Sequence, residues 1–418
     1  MMATNDTSLK RAIVYGAGNI GRGFIGQLFS LSGYQVTFID IDSEIIRQLN
    51  ADGCYPIRTV ANDDSIESVV EPVSGVNGLD NESVEEAIAS SDLMATAVGA
   101  AVLPRIAGPI ARGLKRRWSR KDFRPLNIIL CENLYDVHLV LKKLILQELE
   151  DNERKLFDQT VGLVEASVGR MVPVMTAEMQ DGNRLRIYVE KYCGLPVDRD
   201  AFVGEIPNII HMIPYAPFRY YIQRKLYIHN MGHAVAAYLG HIQGDRFIWE
   251  VCKVPAIRSI VRNSMGESCA SISRLYGIPM NDLLEHADDL LDRFGNQKLG
   301  DTIVRVARDP VRKLANDDRL VGAAKLCLSE GIKPVFICVG IAAALHYEIE
   351  TETSLTQFRE QTRLYEIQDA IQEICGIDPS NVISKLASDF YQDFKQGVDL
   401  DDILRKAEMI KVQCVDAG

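Results

Sequence analysis

Apolar and polar positions along the chain fall into two regimes. In the first, short runs of β-prone apolar residues alternate with stretches whose apolar positions recur at helical spacing. Arg11 to Tyr15 reads as a strand, Gly16 to Gly23 as a glycine-rich turn, and Phe24 to Leu31 as a helix with Phe24, Leu28 and Leu31 on one face. Gly33 closes that helix, and Gln35 to Asp40 is a second strand whose apolar run predicts burial on both faces of a parallel sheet. Strand-like runs recur at Asp92 to Val98, Asn127 to Cys131 and Val161 to Val164, with helical stretches at Pro104 to Leu114 and Val137 to Leu149. This alternation predicts an α/β class protein with a Rossmann-like, doubly wound sheet domain over residues 8–205.

Past about residue 205 strand-like runs become rare. Long amphipathic segments take over, at Tyr220 to Leu239, Ala256 to Tyr276, Met280 to Leu291 and Phe358 to Ile374, so residues 206–418 are expected to form a mostly α-helical substrate and catalytic domain. Pro207, Pro214 and Pro217 prevent Gly204 to Phe218 from being one helix and place the junction there. Tyr347 to Gly418 carries no motif.

Composition narrows the partners. With 47% hydrophobic and 25% charged residues the chain is of ordinary globular type, and its length suits two domains. A net charge of -11 repels phosphate backbones and anionic membranes, which argues against nucleic acid as a partner. The longest apolar run, Val335 to Leu345, falls short of the ~18 residues a membrane span needs. The amino terminus lacks the charged start and apolar stretch of a signal peptide, so a cytoplasmic location is expected. The nine cysteines include no C-x-x-C pair, which fits reduced thiols and neither a disulfide framework nor a zinc site. H-E-x-x-H and G-x-S-x-G are absent, so no metal centre and no serine nucleophile is expected.

The strongest motif is Gly16-Ala17-Gly18-Asn19-Ile20-Gly21, a G-x-G-x-x-G directly after a strand and opening a helix. Gly16 permits the tight turn, Gly18 lets backbone approach a pyrophosphate, and Gly21 lets helix and strand pack closely. Asp40 closes the next strand, where a carboxylate accepts from both ribose hydroxyls and repels a 2'-phosphate, favouring NAD over NADP. Arg22, beside the phosphate position, is expected to soften that preference.

A nicotinamide domain needs a group that handles the alcohol proton. Near the junction, Lys225, His233 and Asn230 fall at roughly 0°, 80° and 140° around a helix with 100° per residue, so they share a face. A desolvated lysine there suits a general base, with Asn230 and His233 donating to the oxygen as it becomes an alkoxide. His229 falls within the same arc, and periodicity does not choose between the two histidines. Asn133 follows a sheet strand, where it either faces a ligand or caps the next helix. Arg308 and Arg312 belong to a cationic cluster, Arg305 to Lys313, suited to a phosphate or carboxylate or else a solvated face. Pro310 between them predicts an extended or helix-start segment.

Residues Gly16 to Gly26, together with Lys225, Asn230 and His233 in a K-x4-N-x2-H spacing, resemble the polyol-specific long-chain dehydrogenases, the mannitol dehydrogenase family. The likeness extends through Ala97-Val98-Gly99, Cys131-Glu132-Asn133, Val161 to Pro173 and Arg305 to Leu320, and Arg308 to Leu314 is nearest the phosphate-specific branch. Gly169 stands where that pattern has an aspartate, before the matching Arg170. The resemblance implies metal-independent hydride exchange between NAD(H) and a polyol or ketose. Lys225 would be the acid and base, Asn230, His233 and Asn133 would hold the reacting oxygen, and Ala97 and Val98 would join Gly16 to Gly21 and Asp40 around NAD. The expected reaction interconverts D-mannitol 1-phosphate and D-fructose 6-phosphate. Fructuronate or tagaturonate reduction, free mannitol oxidation and NAD(H) sensing without turnover are the alternatives.

Overall fold

The structure is a computed structural model that describes residues 9–415 except residue 63 and residues 349–366. The chain divides into two compact units, Met1–Arg219 and Tyr220–Gly418.

The N-terminal unit is built on a six-stranded parallel sheet in the order β5-β2-β1-β6-β7-β8. Its strands are β1 Lys10–Tyr15, β2 Tyr34–Asp40, β5 Val73–Asn77, β6 Leu93–Thr96, β7 Leu126–Leu130 and β8 Val161–Glu165. All five pairings are parallel, with Ala12 facing both Val36 of β2 and Leu93 of β6. The strand order reverses at β1, so the crevice at the carboxyl ends of β1 and β6 is the position where such sheets bind ligands. Strands β6, β7 and β8 are buried on both faces, which explains their unbroken apolar sequences. Phe24, Ile25, Leu28 and Phe29 cover one face and Ile88, Leu103, Ile110, Leu114 and Leu141 cover the other. Each such burial contributes about 1.5–3 kcal/mol.

Two smaller sheets have no counterpart among the expected elements. Strand β3, Tyr55–Val60, pairs antiparallel with β4, Ser65–Val70, and parallel with β9, Ile187–Val189. Strand β10, Leu195–Asp198, pairs in parallel with β11, Met212–Tyr215. This last ladder ties the proline-rich segment to the N-terminal unit, so the units divide after Arg219 rather than at the expected 205/206.

Among the described residues the elements of the C-terminal unit are helices, joined by turns and one β-bridge between Phe247 and Thr302. Its centre is Val335–His346, where every residue but His346 is buried; it packs on Met231–Gln243, Pro255–Tyr276 and Val382–Lys395. A helix apolar all round belongs in a core. The buried Glu267 carboxylate accepts from the N–H groups of Val335, Phe336 and Ile337, and from Lys411 at 2.7 Å, satisfying the helix start. Among the described residues no helix is long and apolar enough to cross a membrane. The expected Phe358 to Ile374 helix lies largely outside the described residues; the described helix there is Ile367–Cys375. The eight described cysteines are free thiols.

Candidate active site

The glycine-rich turn joins β1 to a helix that begins with a π-turn, Gly21–Gly26, and continues as Gln27–Leu31. Gly16 adopts φ 106°, and a Cβ there would stand 2.5 Å from the Ala97 carbonyl oxygen. At Gly21 a Cβ would stand 1.9 Å from the Gly16 oxygen, so the helix can approach its strand only with glycine at this position. Gly18 differs: a Cβ on it would meet no atom within 4 Å. The motif therefore packs tightly at two glycines and opens at the third, beside helix-start amides that have no intrahelical acceptor. A pyrophosphate fits that opening.

The flanking residues converge on this turn. Ala97 N–H donates to Tyr15, and Val98 places a methyl 3.2 Å from the Cβ position of Gly16. Asn19 donates to the Pro173 carbonyl, and Ile20 is half-buried. Asp40 Oδ2 accepts from Ala17 N–H at 2.7 Å and Oδ1 from Asp42 N–H at 3.0 Å, so the carboxylate shapes the turn while each oxygen keeps a lone pair for a ribose hydroxyl.

Arg22 corrects an expectation. It is 4% exposed, and its guanidinium donates to the carbonyls of Ala17 at 2.6 Å and Leu185 at 2.6 Å. It is a clamp on backbone, not a cation free to meet a 2'-phosphate. Arg170 is likewise buried, donating to Gly23, Gln27 and Glu190, and Gly169 before it lies against the Tyr192 ring.

After β7, Asn133 lies exposed in a bend, and the next helix starts at Val137 with Asp136 in the cap position. Asn133 is therefore not the helix cap. Its neighbour Glu132, buried at 6% exposure, accepts from Thr96 Oγ1 at 2.6 Å and Val98 N–H at 3.2 Å, and burial raises its pKa. Asp136, His138 and Glu165 form the one cluster with metal-ligand chemistry among the described residues. Within it His138 Nδ1 lies 3.1 Å from Glu165 Oε1.

In the C-terminal unit, Lys225–Asn230 is a second π-turn, set between Arg219–Arg224 and Met231–Gln243. In a π-turn residues five apart share a hydrogen-bonded turn, so Lys225 and Asn230 lie closer in phase than the 140° of an α-helix. Three residues further along, His233 stacks on Phe294 at 4.6 Å and 11°. Burial lowers its pKa to about 4 despite the opposing pull of Asp301, so the imidazole is neutral near pH 7. His229 is also buried and held well below the usual histidine range by burial, then by Arg293, with its ring 5.7 Å from Phe294.

The cationic segment folds as two short helices, Ile303–Ala307 and Pro310–Lys313, broken at Arg308 and Asp309 as Pro310 implied. Arg308 is exposed in the break. Arg312 is half-exposed and committed to Asp309 at 2.6 Å and Asp318 at 3.2 Å. Lys313, read in the sequence only as the end of the cationic cluster, is 4% exposed, with the carboxylates of Asp309 and Asp318 acting on its ammonium. Burial, then Arg319 and Arg312, lowers its pKa to about 8, and its charge is felt at His233.

Two family models match: the mannitol dehydrogenase Rossmann domain over residues 10–211 and the mannitol dehydrogenase C-terminal domain over residues 218–404. The chain belongs to the mannitol dehydrogenase family. Relatives in this family include the mannitol-1-phosphate 5-dehydrogenases of Bacillus pumilus and Brevibacillus brevis, each 36% identical, over 89% and 90% of this chain and 96% of each relative. Two solved structures share the fold at low identity. D-sorbitol dehydrogenase matches with a TM-score of 0.77 at 14% identity, over 95% of this chain and 94% of the other. Pseudomonas fluorescens mannitol 2-dehydrogenase, solved as a ternary complex with NAD and D-mannitol, matches with 0.74 at 16%, over 96% and 94%. As a mannitol dehydrogenase family member the chain is a polyol dehydrogenase.

Proposed function

We propose that the chain is an NAD-dependent dehydrogenase interconverting D-mannitol 1-phosphate and D-fructose 6-phosphate, with Lys225 as general acid and base. The phosphate assignment rests most on Lys313. Its largely buried ammonium sits beside the cations Arg319 and Arg312, a surrounding that favours an incoming anion, and a phosphate monoester supplies that anion. The named relatives act in the same sense. Bound NADH supplies the hydride.

The chain's own residues bind, orient and move one proton. The backbone at Gly18 admits the pyrophosphate, and Asp40 accepts from the ribose hydroxyls. Lys225 gives its proton to the ketose oxygen in reduction and takes it from the alcohol in oxidation. Asn230 donates to the developing negative charge on that oxygen, His233 orients the substrate through its acceptor nitrogen, and the family resemblance gives Asn133 a share in holding the oxygen. Lys313 anchors the phosphate, with Arg308 exposed beside its segment.

The test is a panel of fructose 6-phosphate, fructose, fructuronate and tagaturonate with NADH, followed by absorbance. Fructose 6-phosphate should give the highest kcat/KM. Lys313→Met should raise its KM roughly 10 to 150-fold, the value of a charged contact, with little change on free fructose. The same substitution should leave the melting temperature equal or higher, because it removes a charge that burial disfavours. Preference for a ketouronate would contradict the phosphate reading, and NADH binding without turnover on any ketose would make the chain a sensor.

A further inference from the structure

His233 Nε2 is shut away from solvent and closes no hydrogen bond, and Asp301 Oδ2 stands 3.5 Å from it. Asp301 is placed there by backbone. Its carbonyl accepts from Ile248 N–H at 2.9 Å, Thr302 bridges to Phe247, and Ile303 N–H donates to Arg246. Its other carboxylate oxygen is held by the Arg305 guanidinium. Arg305, Arg319 and Lys313 also act on His233, as cations, and the rings against it are Phe294 and His229. Among these neighbours Asp301 alone is an anionic acceptor.

We propose that Asp301 is a positioning residue that holds neutral His233 as its Nε2–H tautomer. A carboxylate has only lone pairs to offer, so the Nδ1–H tautomer would set two lone pairs against each other across 3.5 Å. Phe294 fixes the plane of the ring and Asp301 fixes which nitrogen bears the proton, leaving Nδ1 as the acceptor. Arg305 keeps the carboxylate turned toward the ring. This inference rests on the reading of His233 as a residue of the reaction, because tautomer control matters for turnover only there.

Long-range proton–nitrogen correlation NMR at neutral pH reads the tautomer directly, with the His233 signals assigned by their loss in His233→Gln. The native chain should show His233 as Nε2–H. Asp301→Asn, whose amide can accept or donate, should mix or invert the tautomers, and Arg305→Gln should shift them less. Turnover of Asp301→Asn should fall by about 10 to 10²-fold, the usual effect of losing an orienting partner, with NADH affinity unchanged and partial rescue in Asp301→Glu. Asp301→Asn added to His233→Gln should cost nothing further. A native Nδ1–H tautomer, or one that Asp301→Asn leaves in place, overturns the proposal. Full turnover in His233→Gln would instead overturn the catalytic reading of His233, while the spectrum still decides the tautomer.

Discussion

The two stretches proposed to carry function both contain a π-turn, Gly21–Gly26 in the N-terminal unit and Lys225–Asn230 in the C-terminal unit, and on that proposal they work by different means. In the first the side chains are subtracted: glycine leaves room for a neighbouring carbonyl at Gly21 and open space at Gly18. In the second, as proposed, the side chains would do the chemistry, and the turn matters because it sets their phase. A site made of backbone is specified by where glycine must stand, which a linear motif records. A site made of side chains on a helix depends on the helix type, which spacing alone leaves open.

The sharpest way to break this comparison is Lys225→Ala. If unit two supplies proton transfer and not cofactor affinity, turnover with fructose 6-phosphate should fall roughly 10² to 10⁴-fold. Near-normal turnover would move the base elsewhere, with His233 next in line.

The glycines give a smaller, paired effect. Gly21→Ala should destabilise the N-terminal unit by about 1–3 kcal/mol, as overpacking does, and weaken NADH binding with it. Gly18→Ala should leave the melting temperature alone, since its Cβ enters open space, yet still weaken NADH binding by occupying that space. Unchanged affinity in Gly18→Ala would mean that the opening is not the cofactor's.

Asp40→Ala should weaken NADH binding and narrow the preference over NADPH by about 1–3 kcal/mol. Part of the loss is the acceptor for Ala17 N–H, so Asp40→Asn should recover some affinity without restoring selectivity. Selectivity that stays the same in both variants would remove the carboxylate from ribose recognition.

The pH response also separates the units. In the C-terminal unit burial holds His233 at about 4 and His286 at about 3, against the ordinary 6.5. Below pH 6.5 the unfolded chain binds protons that the folded chain refuses, so stability falls as pH drops toward those values, by up to about 1.4 kcal/mol per pH unit for each histidine. Calorimetry at pH 7 and pH 5 should show this loss, reduced in His286→Gln. A flat profile would show that neither histidine is held neutral.

Much of the N-terminal sheet was legible because parallel strands buried on both faces write continuous apolar runs, and the glycine motif stands where strand meets helix. Strands β3, β4 and β5 were not, since each leaves part of its length exposed or half-buried and lacks that run. The segment before Arg219 read as a linker from its prolines, whereas β11 pairs across it with β10. Within the site, Lys225, Asn230 and His233 could be named from spacing, but Arg22 and Lys313 could not be assigned. Both are cations in cationic or glycine-rich surroundings, and only the fold shows that one is spent on carbonyls while the other is buried among further cations. Asp301 and Glu132 are invisible for the same reason, because their partners lie far away in sequence.

The division of labour between the units is tested most directly by titrating the Lys225→Ala protein with NADH, following the fluorescence change, on the preparation whose turnover has been lost. The account predicts a Kd within about threefold of the native value, less than 1 kcal/mol. A Kd that rises in step with the fall in turnover would contradict it, because Lys225 would then be holding the cofactor rather than moving a proton.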